Sequence, residues 1–274
     1  VGSAVFGFLI AIIVIMGSVI HVLGGTSTLT TQGLIFIDWG GALIVGGGTI
    51  AAAFITFSAR EVFSIGRICV AVLRKNVDDA PALTKQVILI ARETRGDPKA
   101  VEGVLSRVSE PFLRDALQLL VDRHDAYKIE QILKERIRAQ QERDESTAGI
   151  LRTLAKYPPA LGIVGTVVGL IALLTKLGNG FEAENLGPAM AVGLVATFYG
   201  LALTNFVFTP MGENLSLKSV KDIRKRQIVL AGVMAMKNGE SVLFVQESLN
   251  SYLAVSDRVD VLGVSGQQGK GRAA

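Results

Sequence analysis

Long stretches of this chain carry no charge. Residues 1–37 contain no Asp, Glu, Lys or Arg, and neither do 39–59, 157–175 and 185–212. A soluble core helix seldom needs about 20 consecutive uncharged residues, whereas a membrane span does. Cysteine is scarce too: Cys69 has no second cysteine to pair with, which excludes a disulfide-stapled secreted module. The two histidines, His21 and His124, stand far apart, and no Cys/His cluster has metal-ligand spacing. His124-Asp125 resembles a fragment of a hydrolase motif but lacks companions, and reads as a surface pair. There is no P-loop, and Gly46-Gly47-Gly48 lies inside an apolar run and matches no dinucleotide fingerprint. Thirty glycines without a three-residue period exclude collagen. An ordinary soluble enzyme, a disordered chain and a nucleotide-burning motor are therefore excluded, and no cofactor is expected.

What is present is hydrophobic. Half of the 274 residues are apolar and 19% are charged, against roughly 25% charged in average soluble domains. Spans are expected near 4–23, 37–59, 157–175 and 188–208. At 1.5 Å per residue each crosses roughly 30 Å of hydrocarbon. Short polar linkers, 24–36 and 176–187, pair them into two hairpins. The first span has no basic segment before it and no A-x-A site, so it reads as a retained helix rather than a cleaved signal.

The basic residues orient the hairpins. Residues 60–156 hold 18 Lys/Arg and 211–274 hold 9, leaving Lys176 as the exception among 28. Positive charge stays in the cytoplasm, which places the long loop, the tail and both termini there. The run Lys221, Arg224, Lys225, Arg226 follows a span, so it is expected to face lipid headgroups rather than nucleic acid. The expected fold is all-α and integral to a membrane, with four transmembrane helices and a helical cytoplasmic domain. Its parts are a first hairpin 1–59, a cytoplasmic domain 60–156, a second hairpin 157–210 and a cytoplasmic helix and tail 211–274.

The loop 60–156 is too regular for a linker. Asp97–Pro98 and Glu110–Pro111 read as helix starts or breaks. Residues 127–156 are rich in helix formers, and Leu133, Ile137, Ile150 and Leu154 mark an apolar stripe. One long helix is expected there, running straight into the third span. A second continuing helix is expected over 211–237. Unbroken helices of this kind act as levers.

The spans lack the carboxylate that ion-driven machines carry near the bilayer midplane. Asp38, at the start of the second span, is the nearest. Spans three and four instead carry small residues and hydroxyls at one-turn spacing: Gly162, Thr166 and Gly169, then Gly193, Thr197, Gly200 and Thr204. These faces serve either tight helix packing or a polar path completed by a carboxylate from another subunit. Pro159 removes a backbone donor and frees a carbonyl, a place that can bend or gate, although proline at a helix start is also ordinary.

At this point the residues resemble a known family. YPPALGIVGTVVGLIALL (157–174) and GPAMAVGLVATFYGLALTNFVFTP (187–210) are similar to the two inner spans of the MotA/PomA flagellar stator subunits. The similarity extends through LLVDRHDA (119–126) and NLSLKSVKDIRKRQIVLAGVMAM (214–236), and it is weakest over 60–115. The resemblance implies an ion-conducting stator subunit, not an enzyme. Five copies would surround two copies of a single-span MotB/PomB-type partner whose Asp binds the passing ion. Ion flow would turn this pentamer, and its cytoplasmic domain would push on the rotor protein FliG. The family's two functional prolines fall on Pro159 and Pro210. The related ExbB and TolQ energy transducers, the alternative, have one span before the cytoplasmic domain where this chain has two.

The resemblance also bears on the ion. Thr166 and Asp38 match the sodium-type members, Thr197 matches both types, and Ala196 replaces a Thr of sodium-type PomA. The transported ion is therefore expected to be Na⁺, held transiently near Thr166, rather than H⁺. Arg92, Arg95 and Glu102 are the candidates for the family's rotor-facing charges, with solvated helix charges as the plain alternative.

Overall fold

The structure is a computed structural model that describes residues 3–22, 36–73, 79–178 and 186–263. Most of the two expected polar linkers, with Gly24, Gly25, Thr26, Ser27, Asn179 and Gly180, lies outside the described residues. The described residues form helices joined by turns. The helices are α1 (Ser3–Val22), α2 (Trp39–Thr56), α3 (Ala59–Leu73), α4 (Ala80–Thr94), α5 (Pro98–Val104), α6 (Pro111–Val121), α7 (Ala126–Leu154), α8 (Tyr157–Gly178), α9 (Leu186–Ala202), α10 (Thr209–Lys237) and α11 (Val242–Asn250). Among the described residues three helical stretches are long and apolar enough to cross a membrane: Trp39–Thr56, Ala126–Thr175 (taken across a two-residue turn at 155–156) and Gly193–Lys237. A shorter apolar helix, Phe6–His21, stands with them. The chain is an all-helical, multi-pass membrane protein.

Two compact units divide the chain. One comprises 1–76 and 145–216, the other 77–144 and 217–274. The apolar stripe of α7 serves both. Leu133 and Ile137 lie in the core of the second unit, and Ile150 and Leu154 in that of the first. A stripe at i, i+4 spacing lets one helix do this over its 29 residues.

In the first unit, α7 does not run unbroken into the third span. It ends at Leu154, and Ala155–Lys156 form a turn before α8 begins at Tyr157. The cause is the Pro158-Pro159 pair. Neither residue has an N–H to continue the ladder, but both are tolerated in the first turn of a new helix. Two other spans contain π-helical turns, Leu43–Gly47 in α2 and Leu203–Phe208 between α9 and α10. The first lies on the Gly46-Gly47-Gly48 run. The second precedes Pro210, which has no N–H for the Phe206 carbonyl, so the wider turn absorbs a break in the α-helical ladder.

The second unit is built on an ordinary core. Ile88, Leu113, Leu117, Ile129, Leu133, Ile228 and Leu249 are fully buried there, each worth roughly 1.5–3 kcal/mol by burial. Helix starts follow the sequence. Asp97 caps α5, accepting from the Lys99 N–H at 3.2 Å, and Glu110 caps α6, accepting from the Leu113 N–H. The α4–α5 turn is tight: Gly96 has φ +77°, and a Cβ there would lie 2.4 Å from the Met236 carbonyl oxygen of α10. Only glycine fits both the backbone angle and the gap.

After α10 the chain turns through Gly239, at φ +70°, into α11. Two amides one turn apart on α11 then hold the segment that follows. Gln246 Oε1 accepts from the Val261 and Leu262 N–H groups at 2.9 and 3.3 Å. Asn250 exchanges two bonds with the Val259 backbone at 2.9 and 3.0 Å.

Candidate functional site

The site lies where α8 and α9 pack in the first unit. Glycines set the spacing. A Cβ on Gly162 would lie 2.9 Å from Thr197 Cα, and one on Gly193 would lie 3.2 Å from Thr166 Cα. Each threonine thus faces a glycine on the opposite helix, which brings the backbones close enough for the hydroxyls to meet. Thr166 Oγ1 and Thr197 Oγ1 are 2.5 Å apart. Thr166 Oγ1 also lies 2.8 Å from the Gly193 carbonyl oxygen and 3.2 Å from that of Gly162, and Thr197 Oγ1 lies 3.2 Å from the Gly162 carbonyl oxygen. The result is a half-buried knot of four oxygens from two hydroxyls and two carbonyls.

Two hydroxyl protons serve this knot. If one hydroxyl donates to the other, a single proton remains for the two carbonyls. The two carbonyls also lie inside α8 and α9, where the N–H four residues on is their regular partner, so the hydroxyls cross-link the two helices and present neutral oxygens at their interface. Ionic charge is absent, so the knot alone lacks the strength to dehydrate an ion.

Ala196 is enclosed by its neighbours. It is 1% exposed. A Cβ on Gly165 would lie 2.6 Å from its methyl, and one on Gly41 would lie 3.1 Å from it. The methyl fills a slot between α2 and α8 with no space for the larger threonine.

The remaining sequence-derived candidates separate. Asp38 caps α2: its carboxylate accepts from the Gly41 N–H, and its own N–H donates to Tyr199 Oη at 3.1 Å. The Tyr199 hydroxyl in turn donates to the Phe36 carbonyl, tying α9 to the start of α2. Pro159 sits in the first turn of α8, with its Cα 3.2 Å from where a Gly200 Cβ would stand. Pro210 is exposed, directly after the π-helical turn. Arg92, Arg95 and Glu102 all belong to the second unit. Arg92 lies in the last turn of α4, Arg95 caps that helix in the left-handed region at φ 46°, and Glu102 lies on α5. All three are exposed, and among the described residues none of them forms an ion pair. The neighbouring Glu93 pairs instead with Arg107, at 2.6 Å.

His124-Asp125 has a structural explanation. Arg123 takes the left-handed conformation at φ 58°, and the His124 N–H bonds the Leu119 carbonyl at 3.3 Å. This closes α6 in a Schellman-type stop.

Comparison with known proteins decides the family. Residues 105–228 match the MotA/TolQ/ExbB proton channel family. The chain is 32% identical over 219 residues to the chemotaxis protein PomA of Vibrio alginolyticus, covering 80% of this chain and 85% of PomA. The chain belongs to the MotA/PomA family of flagellar motor stator subunits. Its fold is also that of solved relatives. It superposes on a chain of the Campylobacter jejuni MotAB structure with a TM-score of 0.84 at 20% identity, covering 95% of this chain and 99% of that one. The flagellar MotAB stator complex from Bacillus subtilis gives 0.80 at 24% identity, with the same coverage. As a member of this family the chain is a motor subunit rather than an enzyme.

The structure brings Thr166 and Thr197 together, and it adds hydroxyl contacts between elements that the sequence did not announce. Tyr199 Oη ties α9 to the residues around Asp38, and Thr204 Oγ1 donates to the Ala155 carbonyl at 2.9 Å. Thr204 was visible only as a member of a one-turn series. Nothing in that series names a partner 49 residues away.

Proposed function

We propose that this chain conducts ions together with a MotB/PomB-type single-span partner and converts the flow into torque on the rotor protein FliG. It works as a homo-pentamer in the inner membrane, with both termini cytoplasmic and its outer helices against lipid. The coupling ion is Na⁺, in preference to H⁺. The observation that carries this reading is the Thr166–Thr197 oxygen knot, set in spans that hold no carboxylate of their own. Neutral oxygens complete a coordination shell but do not supply counter-charge, so the partner's carboxylate supplies it. Asp38 stands at the outer start of α2, where it attracts cations. Pro159 and Pro210 mark the ends of the second hairpin, where the helices bend. Arg92, Arg95 and Glu102 meet the rotor.

The test is co-expression. With its partner the chain restores swimming whose speed rises with external Na⁺. Expressed alone it neither acidifies cells nor loads them with sodium. Robust ion flux without a partner would falsify the shared site. Swimming that ignores Na⁺ and stops with a protonophore removes sodium and leaves the stator reading intact.

A further inference from the structure

Two prolines leave a gap in the backbone hydrogen bonding at the start of α8. In an unbroken helix the N–H of residue 159 would bond the Ala155 carbonyl, and proline has no N–H to give. Ala155 is 9% exposed, so water is a poor substitute donor there. The Thr204 hydroxyl fills the gap, donating to that carbonyl at 2.9 Å. Thr204 lies within the π-helical turn Leu203–Phe208, itself next to Pro210. One turn earlier, Gly200 makes the approach possible: a Cβ there would lie 2.3 Å from the Pro158 carbonyl oxygen. On the other side the start of α8 is pinned to α2, where Tyr157 Oη and Thr56 Oγ1 are 2.7 Å apart.

We propose that Thr204 is a positioning residue of the ion path: its hydroxyl holds the carbonyl that Pro159 leaves open and so joins the two proline-weakened points of the second hairpin. The bond fixes the registry of α8 against α9, and hence the distance between Thr166 and Thr197 further along the same interface. A side-chain bond suits this place because it can break and re-form as the helices move, whereas an interior backbone bond would hold α7 and α8 as one rod. The proposal rests on the stator reading for its consequence, but not for the bond itself.

The experiment is a double-mutant cycle on the full chain purified with its partner, read by thermal unfolding, with swimming speed measured in parallel. Thr204→Val keeps the shape and removes the donor. It is expected to lower Tm by roughly 2–4 °C, the effect of one lost hydrogen bond in a chain of this size. Thr204→Ser keeps the donor and is expected to recover most of that loss. In a Pro158→Ala, Pro159→Ala background the break loses its cause and the carbonyl regains a backbone donor, so Thr204→Val is then expected to lower Tm by less than roughly 1 °C. Swimming speed should fall severalfold in Thr204→Val, with unchanged membrane levels, and recover in Thr204→Ser. Additive Tm losses across the cycle, or Val and Ser variants that behave alike, overturn the proposal. Coupled Tm values in a parent that never supports swimming overturn the stator reading instead and leave the Thr204–Ala155 bond established.

Discussion

At the scale of single residues, the hydroxyl of Thr166 is shared among more acceptors than it has protons. Removing it changes the chemistry of the knot more than its packing, because alanine is the better helix former and Thr166 is only half-buried. Thr166→Ala should abolish Na⁺-dependent swimming with little loss of membrane protein, and Thr166→Ser should retain part of it. Swimming speed across external Na⁺ concentrations, with immunoblots for protein level, measures both. If Ser and Ala behave alike, the hydroxyl only packs. Ala196 behaves in the opposite way, since its neighbours fix its volume. Ala196→Thr adds two heavy atoms between Gly41 and Gly165 and should cost about 1–3 kcal/mol through overpacking. A lowered Tm of the purified complex is the expected reading. An unchanged Tm would mean that the slot opens readily and that a third hydroxyl can be accommodated.

At the scale of elements, what the sequence revealed and what it concealed follow one rule: periodicity is local and pairing is not. The charge-free runs fall on α1, α2, α8 and α9, and Asp97–Pro98 and Glu110–Pro111 announced their helices because capping is a relation between near neighbours. The expected rod from 127 into the third span failed at Ala155–Lys156. There, two adjacent prolines outweigh thirty residues of helix formers, since a missing N–H is absolute and propensity is worth tenths of a kcal/mol per residue. The amide clamp of Gln246 and Asn250 was not legible at all: its partners are backbone groups of 259–262 that no side-chain pattern marks. The α4–α5 turn gives a direct test of a backbone constraint. Gly96→Ala meets both a positive φ and a carbonyl oxygen 2.4 Å from the new methyl. Its expected cost is over roughly 2 kcal/mol, the sum of left-handed strain and a forced backbone shift. Loss of folded protein at 37 °C, or a Tm drop of many degrees, checks it; a parent-like Tm would show that α10 yields easily at Met236.

At the scale of the whole molecule, the candidate site and the proposed rotor charges fall in different units. The oxygen knot belongs to the unit 1–76 plus 145–216, and the proposed rotor charges belong to the unit 77–144 plus 217–274. Substitutions in the second unit should therefore change torque without changing insertion or ion selectivity. Arg92→Glu, Arg95→Glu and Glu102→Lys reverse exposed charges that carry no ion pair among the described residues, so the fold loses little. Each reversal should cut swimming while membrane levels stay at those of the parent, because attraction to a charged partner surface becomes repulsion. Arg95 allows a sharper separation of fold from function. It holds a left-handed conformation at φ 46° that glycine adopts with far less strain. If Arg95 is kept only as a helix terminator, Arg95→Gly should relieve about 1–2 kcal/mol of left-handed strain against about 0.5–1 kcal/mol of added chain entropy, so that stability rises by roughly 0.5–1 kcal/mol and swimming stays intact. If its charge meets the rotor, the same substitution should raise Tm and slow swimming together, and Arg95→Lys should restore swimming without the gain in Tm. Tm and swimming speed measured on these two variants distinguish the cases. A faster-swimming, more stable Arg95→Gly chain would remove this turn from the rotor interface.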